Sequence, residues 1–310
     1  MSEALYQRDV YGQTLVELGR QDKNVVVLDS DLSSSTRTSL FAKEFPDRFF
    51  NFGVAEQNMM ATSAGIASCK KIVFCSTFAI FATGRAWDQV RNSISYSKLD
   101  VKIVATHAGV SVGPDGASHQ AIEDIALMRV IPTMKIIVPC DGPETKEAIL
   151  ACYKEPGPFY VRLGRPKVPT LDLNKNIPFK IGKAKVLREG KDITLFACGI
   201  MVNFALQAAS LLEKDNLSVR VVNMHTIKPI DKEVVLDSAK NTKGIVVCEE
   251  HTVVGGLASA IDEIVAENYP TRVLRVGIKD RFGQSGDPEE LLKEYNLTPE
   301  DICKTARKIL

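Results

Sequence analysis

Short apolar runs of strand length alternate with stretches of helical periodicity along the whole chain, and this alternation predicts the fold class. The predicted strands are apolar on both faces, which is typical of a parallel sheet covered on both sides. Amphipathic segments between them, such as Glu56–Ser68 and Ala79–Ser95, supply the connections of right-handed β-α-β units. We therefore predict an α/β protein with two doubly wound, mostly parallel-sheet domains. The predicted strands are Val25–Asp29, Lys71–Ser76, Val101–His107, Lys135–Val138, Phe159–Arg162, Ile193–Cys198, Val219–Asn223, Gly244–Glu249 and Arg272–Val276.

The alternation is interrupted once, where Pro166, Pro169 and Pro178 flank the polar stretch Asp172–Asn176. Prolines separated by polar residues are typical of an extended linker. We predict a first domain over residues 1–168, a linker over 169–180 and a second, smaller domain over 181–310.

Charge and composition exclude several classes of function. The 310 residues include 39 basic and 38 acidic side chains, a net charge of +1, which argues against nucleic acid as a partner. No apolar run approaches the roughly 20 residues that span a bilayer. The N-terminal segment has no basic start followed by an apolar stretch, so no secretory signal is predicted. Seven cysteines without a C-x-x-C pair fit reduced, buried thiols, and we expect a cytoplasmic protein.

The common nucleotide and metal motifs are absent. The sequence contains neither a P-loop nor a G-x-G-x-x-G turn after a strand, so P-loop hydrolysis and hydride transfer on a Rossmann domain are not predicted. It also lacks H-E-x-x-H and EF-hand loops, and we predict no metal ligands in this chain. Gly255-Gly256 opens a helix after a strand, and we interpret that pair as close packing.

Polar residues concentrate where two of the strands listed above end, and after a further predicted strand that precedes Glu56. The segment THAGVSVGPDGASHQAIED begins at the carboxyl end of the VKIVA strand and brings His107, Asp115 and His119 into one glycine-rich loop. Glu56 lies in the first turn of a helix after another strand, and Phe78 and Phe81 follow a third. Because open α/β sheets bind ligands at strand carboxyl ends, we predict the functional site here.

The same segments, in order, resemble the second half of transketolase, a thiamine diphosphate enzyme that moves two-carbon ketol units between sugar phosphates. The resemblance covers nearly the whole chain and rests on FGVAEQNM, STFAIF, DGASHQ, VRLGRP and the C-terminal VGIKDRFGQSGDPEELLKEYNLT. It implies a pyrimidine-binding domain followed by the C-terminal domain of the family.

The resemblance implies how the cofactor would be held. Glu56 matches the glutamate that bonds N1′ of the cofactor's pyrimidine and so makes the cofactor's own 4′-amino group a base. Phe78 and Phe81 match the aromatic wall around that ring, and Asp31 matches an acid near the cofactor and the subunit interface. The sequence departs from many transketolases at Gly84, where an aromatic residue is common.

The resemblance also implies the substrate contacts. Histidines at two matching positions bond the donor's hydroxyl and carbonyl oxygens, an aspartate reads a sugar hydroxyl, and three residues clamp the phosphate. Arginine suits that clamp because its planar fork bonds two phosphate oxygens at once. The matching histidines are His107 and His119, and the matching aspartate is Asp115. The three residues of the phosphate clamp are Arg8, Ser35 and Arg165. Glu56 and His119 are the predicted catalytic residues.

One part of the family is missing from the sequence. Transketolases that carry both halves hold the diphosphate and its metal through a G-D-G…N segment, which this chain lacks. The resemblance therefore implies the C-terminal subunit of a split transketolase, inactive alone. An N-terminal subunit would hold the diphosphate and Mg²⁺ (or Ca²⁺), and the complete site would need an α2β2 assembly.

Three alternatives stay open. Deoxyxylulose-phosphate synthase shares the glutamate and DGASHQ-type motifs but normally carries both halves on one chain. The β subunit of 2-oxo acid dehydrogenases is similar in size but typically has a different histidine loop, and DGASHQAIED favours the sugar-phosphate branch. A non-catalytic homologue would be expected to have lost several of the matched residues.

Overall fold

The apolar strands form two main sheets in the computed structural model, which describes residues 3–172 and 177–310. The strands are β1 (Ala4–Tyr6), β2 (Val25–Asp29), β3 (Phe49–Asn51), β4 (Ile72–Ser76), β5 (Val101–Ala105), β6 (Lys135–Ile137), β7 (Phe159–Arg162), β8 (Lys167–Pro169), β9 (Lys185–Arg188), β10 (Ile193–Ala197), β11 (Val219–Asn223), β12 (Thr226–Lys228), β13 (Ile245–Thr252) and β14 (Val273–Ile278). The α-helices are α1 (Gln7–Gln21), α2 (Ser33–Thr36), α3 (Ser39–Glu44), α4 (Glu56–Ser68), α5 (Trp87–Gln89), α6 (Asp124–Arg129), α7 (Gly142–Lys154), α8 (Met201–Glu213), α9 (Lys232–Asn241), α10 (Leu257–Asn268), α11 (Pro288–Glu294) and α12 (Pro299–Ala306).

The first sheet has the strand order β12-β6-β7-β5-β4-β2-β3 and is parallel except for β12. Successive strand residues face opposite sides of a sheet. Accordingly, Val26 and Leu28 of β2 pack into one apolar cluster with helix α4, whereas Val25 and Val27 pack into another with helix α1. Both faces of the sheet are covered, as the unbroken apolar runs predict.

The second sheet has the order β14-β13-β10-β11-β9, with β9 antiparallel at one edge and the other strands parallel. Helices α8 and α12 pack on one of its faces. The two mostly parallel sheets confirm the predicted fold class. Strand β12 comes from the second half of the chain but pairs with β6 of the first sheet, so the halves are joined by a shared sheet edge as well as by packing.

A small antiparallel pair connects the two ends of the first domain. Strand β1 pairs with β8, with Leu5 opposite Val168. Helix α1 follows β1 immediately, and the amide N–H of Gly164 donates to Gln7 Oε1 at 3.1 Å. This pairing places the start of α1 beside the segment that follows β7, which brings two distant arginines, discussed below, to the same edge of the sheet.

The segment predicted as one helix, Ala79–Ser95, is more complex than its periodicity indicates. Wide π-type turns span Phe81–Arg85 and Val90–Ser95, with the short helix α5 between them. A π turn contains one more residue than an α turn, so it displaces the side-chain register that periodicity assumes. Gly84 lies in the first π turn, exposed, with no atom near the position a Cβ would take.

Short elements account for most other differences from the sequence prediction. Strands β1, β8, β9 and β12 have three or four residues each, too few to give a periodic signal. Residues 173–176 of the predicted linker lie outside the described residues.

Several residues whose role the sequence leaves open lie in packed surroundings. His225 and His251 are buried; the ring of His225 stacks on Phe179, and His251 Nε2 accepts from the amide N–H of Ala126 in the first domain. At the helix start after Gly255-Gly256, the free amide N–H groups are already bonded within the chain: the Glu249 carboxylate accepts those of the first two residues of α10.

Six of the seven cysteines are buried, and Cys69 is exposed. No helix in the described ranges is long and apolar enough to cross a bilayer.

Candidate active site

The predicted site residues follow the carboxyl ends of neighbouring strands. In the first sheet, β3, β2, β4, β5 and β7 lie side by side and run in the same direction. Parallel strands end at the same edge, so the segments after them share one surface. Glu56 follows β3, Phe78 follows β4, His107 follows β5 and Arg165 follows β7. The site predicted at strand carboxyl ends is therefore a single edge of this sheet.

Glu56 is a buried carboxylate at the start of helix α4. It is 1% exposed, and its position in the first helical turn is favourable for a negative charge. Arg85 lies across it, with Nη1 2.8 Å from Oε1 and 2.9 Å from Oε2. The Arg85 side chain is 47% exposed, so the charged partner of this buried carboxylate itself faces solvent.

Aromatic rings form a wall beside Glu56. The rings of Phe78 and Phe81 are stacked with centroids 6.1 Å apart, and Phe78 stacks on His107 at 3.9 Å. His119 meets Phe81 edge-on at 5.3 Å. The structure thus brings together both predicted phenylalanines and both predicted histidines, and the wall offers a flat apolar face bordered by nitrogen atoms.

His107 is held in a fixed and uncharged state. Its backbone φ is 59°, a left-handed conformation uncommon for a residue with a side chain, and such residues cluster at functional sites. Its Nδ1 lies 2.9 Å from Thr106 Oγ1 and its Nε2 lies 3.5 Å from Arg8 Nη1. Burial, reinforced by the nearby Arg8, Arg165 and His119, lowers the pKa of His107 to about 3. The imidazole is therefore neutral near pH 7, able to bond an oxygen without adding charge.

Positive charge collects at the outer end of the histidine loop. Burial, followed by the nearby Arg37, lowers the pKa of Arg8, and Arg8 Nε is buried without a hydrogen-bond partner among the described residues. Arg165 donates to the Val112 carbonyl, and its Nη1 lies 3.9 Å from Oδ1 of the exposed Asp115. Two arginines with spare donors beside a neutral histidine form a place suited to an anion.

The other predicted residues lie at the margin of this group. Ser35 is half-buried in helix α2, which contacts the helix that carries Arg8. Asp31 is exposed, with a backbone φ of 62°, and its amide N–H donates to Asn51 Oδ1. Their roles stay predictions. No group of histidine, cysteine or acidic side chains that could hold a metal is present in residues 3–172 and 177–310.

A buried acid close to Asp31 in the chain was not identified from sequence. Asp29 is fully buried at the end of β2, where it accepts hydrogen bonds from the Leu32 amide and the hydroxyl groups of Thr36 and Thr38. Burial is the largest influence on this carboxyl and raises its pKa from 3.8 to about 6. Asp29 thus organises the loop that carries Asp31 and helix α2. Its only signal in the sequence was the polar triplet D-S-D at the end of a predicted strand.

The raised pKa of Asp29 predicts a specific pH dependence of stability. Its stabilising contribution is complete below pH 3.8 and is lost as pH rises through about 6, because the folded state resists ionisation there. Asp29→Asn cannot ionise, so from about pH 4 to about pH 7 we expect the wild type to lose about 3 kcal/mol relative to the variant. Urea unfolding of both proteins across this pH range measures the difference in their free energies of unfolding. Asp47→Asn, at an exposed position, is the control. Parallel profiles for wild type and Asp29→Asn would count against this role.

The histidine loop is supported from the second domain. Gly109 has a φ of 85°, and a Cβ there would lie 2.2 Å from the carboxyl carbon of Glu250. The buried Glu250 carboxylate accepts the Ser111 amide N–H at 2.6 Å, and Gln120 donates to the Gln284 carbonyl at 2.9 Å. Contacts from the second domain therefore hold the histidine loop in its conformation. Glu250 and Gln120 were not identified from sequence.

Replacing Gly109 with alanine is expected to destabilise the folded chain by about 2–4 kcal/mol, the combined scale of overpacking and backbone strain. Gly65→Ala provides the matched control, because Gly65 lies in helix α4 with no atom near its missing Cβ. That substitution should be neutral or stabilising by up to about 1 kcal/mol. Denaturant unfolding of both variants tests this support, and equal stabilities would refute it.

Comparisons with known proteins agree with this geometry. The family model for the transketolase pyrimidine binding domain matches residues 3–170, and that for the transketolase C-terminal domain matches residues 182–302. A protein of Methanocaldococcus jannaschii with the provisional name transketolase C-terminal section is 50% identical, covering 96% of this chain and 94% of its own. A 6-deoxy-6-sulfo-D-fructose transketolase subunit from Clostridium sp. is 38% identical, covering 99% of this chain and 95% of its own.

A solved structure described as a split-gene transketolase, in an inactive beta4 tetramer, has the same fold. It superposes with a TM-score of 0.91 at 50% sequence identity and covers 99% of this chain and 98% of that chain. The two family models match one domain each, whereas the 50% identical relative and this structure span both domains. The chain therefore belongs to the transketolase family, of which it carries the pyrimidine-binding and C-terminal domains.

Proposed function

We propose that this chain is the pyrimidine-binding subunit of a thiamine diphosphate-dependent enzyme that transfers a two-carbon ketol unit between anionic sugars. The observation that carries the proposal is the buried Glu56 carboxylate beside the ring face of Phe81, at the edge where both loop histidines and two arginines gather. Transketolases use thiamine diphosphate, and a carboxylate next to an apolar ring face is a fitting place for its flat aminopyrimidine.

Each group of this chain has a distinct task in the proposal. Thiamine diphosphate, when bound, supplies the carbon that carries the two-carbon unit. Glu56 holds a proton between its carboxylate and the pyrimidine nitrogen N1′, and Phe78 and Phe81 exclude water from that bond. Neutral His107 bonds a substrate oxygen through Nε2, since its Nδ1 is engaged by Thr106. His119 borders the same wall, with its Nδ1 bonded to Ser118.

The anionic end of the substrate belongs between the arginines. Arg8 and Arg165 carry charge next to His107, and Asp115 beside Arg165 is placed to read a hydroxyl group. A phosphate fits these donors, as in pentose phosphate sugars, with Ser35 as a further contact. A sulfonate has similar oxygens, and one relative is named for a sulfonated sugar. Both classes of donor therefore belong in the assay.

No residue of the given sequence is assigned to the cofactor's other end. The sequence has no G-D-G…N segment, and no candidate metal site occurs in the described parts of the chain. We assign the diphosphate and its Mg²⁺ or Ca²⁺ to an N-terminal transketolase subunit, with an α2β2 assembly in the cytoplasm. The relative solved as an inactive beta4 tetramer supports self-association of such chains and inactivity of the subunit alone.

Reconstitution tests the proposal. The chain is mixed with its candidate N-terminal partner, thiamine diphosphate and Mg²⁺, and ketol transfer from xylulose 5-phosphate to ribose 5-phosphate is followed. Transfer by the mixture, but by neither chain alone, is the expected result. A sulfonated ketose as donor and pyruvate as a competing donor run in parallel.

The parallel donors separate the alternatives. Transfer only from the sulfonated ketose would retain the reaction and change the substrate. Pyruvate decarboxylation would favour the 2-oxo acid dehydrogenase or deoxyxylulose-phosphate synthase branch. No turnover with any donor would favour a non-catalytic homologue and overturn the proposal.

A further inference from the structure

Arg85 makes two contacts that converge on the centre of the candidate site. Its Nη1 lies 2.8 and 2.9 Å from the two carboxylate oxygens of Glu56. Its guanidinium carbon lies over the ring of Phe81, 4.4 Å from the ring centroid. One planar cation thus covers both the carboxylate and the aromatic face.

These are the same two groups that the proposed function gives to the aminopyrimidine of the cofactor. A guanidinium is flat, delocalised and rich in N–H donors, and it stacks on aromatic faces while bonding carboxylates. An aminopyrimidine is likewise flat and nitrogen-rich. The carboxylate of Glu56 and the covered face of Phe81 cannot serve both groups at the same time.

The backbone of Arg85 is fixed, whereas its side chain has room to leave. Gln57 donates to the Arg85 carbonyl at 3.0 Å, and the residue lies in the π turn Phe81–Arg85. The side chain is 47% exposed, against 1% for Glu56. A rotation of the side chain into solvent would uncover the carboxylate without moving the chain that carries it.

We propose that Arg85 is a displaceable occupant of the pyrimidine subsite, which it holds until the cofactor takes its place. This inference rests on the proposed function and adds a competition to it. The paired Arg85 compensates the charge of Glu56, a carboxylate that burial would otherwise leave unpaired in the chain before assembly. Cofactor binding then replaces one planar partner of Glu56 with another. The apparent affinity for the cofactor is lowered by the stability of the Arg85 contacts.

Calorimetric titration of thiamine diphosphate, with Mg²⁺ present, into the two-subunit enzyme measures this competition. Arg85→Ala is expected to lower the Kd about tenfold, which corresponds to about 1.4 kcal/mol, the lower range for a hydrogen bond to a charged group. Arg85→Lys should fall between wild type and Arg85→Ala, because an ammonium retains charge but has no planar face. Arg91→Ala is the matched control, an exposed arginine bonded to Asn92, and should leave the Kd unchanged.

A double-mutant cycle and a chemical probe sharpen the test. In a Glu56→Gln background, removing Arg85 should change the Kd by much less than tenfold, because the carboxylate for which the two groups compete is gone. Low-millimolar guanidinium chloride should weaken cofactor binding to Arg85→Ala and have little effect on wild type, with sodium chloride at equal concentration as the control.

The outcomes separate this inference from the proposed function. Wild-type binding together with an unchanged or raised Kd in Arg85→Ala would overturn the competition and leave the proposed function intact. If Arg85→Ala does not fold or assemble, Arg85→Lys decides, and a Kd equal to or above that of wild type overturns the inference. No binding of thiamine diphosphate by the wild-type enzyme would overturn the proposed function and this inference with it.

Discussion

Replacing Glu56 with glutamine in the assembled enzyme is expected to lower kcat by a factor of at least about 100, the usual scale for a lost acid–base group. The carboxyl of Glu56 shares a proton with the pyrimidine nitrogen in the proposed mechanism, and an amide cannot do so. The substitution keeps the shape of the side chain, so assembly should be unaffected. Initial rates at saturating donor and acceptor measure the effect.

A second glutamate paired with an arginine provides the control. Glu44 bonds Arg20 at 2.6 and 2.7 Å on the exposed face of the first domain, away from the strand carboxyl ends. Glu44→Gln makes the same chemical change and should retain full turnover. If Glu56→Gln retained it as well, with cofactor bound, the assignment of Glu56 as the acid–base partner of the cofactor would be wrong.

Replacing Arg165 with alanine is expected to raise KM for phosphorylated donors about 10- to 100-fold while kcat changes little, the scale of one or two charge-assisted hydrogen bonds. A contact with the anionic end is made equally in the ground state and the transition state, so its loss appears in KM. Steady-state kinetics with xylulose 5-phosphate and with a donor that lacks the phosphate measure both parameters.

The phosphate-free donor isolates the cause. With that donor, Arg165→Ala and wild type should have similar KM values, because neither makes the contact. Arg188→Ala serves as the matched control. Arg188 lies on β9, the edge strand of the second sheet, and pairs with Glu213 of helix α8. A fall in kcat with KM unmoved would place Arg165 in the chemistry and contradict the clamp.

The position of the site could be predicted from sequence for a simple physical reason. Strands buried on both faces appear as unbroken apolar runs, so the residue at which each strand ends is visible in the sequence. Because the strands are parallel, the polar residues that follow them share one edge of the sheet. Phe78 and His107 follow such buried strands and are therefore predicted to lie on one surface. They do, together with Arg165 and with Glu56, which follows the short edge strand β3.

Residues that act through distant partners gave no such signal. Arg85 follows Gly84 in a segment whose periodicity predicts an ordinary helix. In the structure Arg85 lies in a π turn, and its side chain bonds Glu56, 29 positions earlier. Glu250 looks like part of a strand, and its contact with Ser111 spans 139 positions. A sequence pattern reports neighbours along the chain, whereas these contacts depend on how the turns and domains pack.

The central claim concerns which partner the Glu56 carboxylate bonds when the cofactor binds. A crystal structure of the two-chain enzyme with thiamine diphosphate measures this as the distance from Glu56 Oε1 or Oε2 to the pyrimidine N1′. We predict a hydrogen bond of about 2.6–2.9 Å, with Arg85 rotated away from the carboxylate. A Glu56 still bonded to Arg85, with the pyrimidine bound elsewhere, would contradict the account.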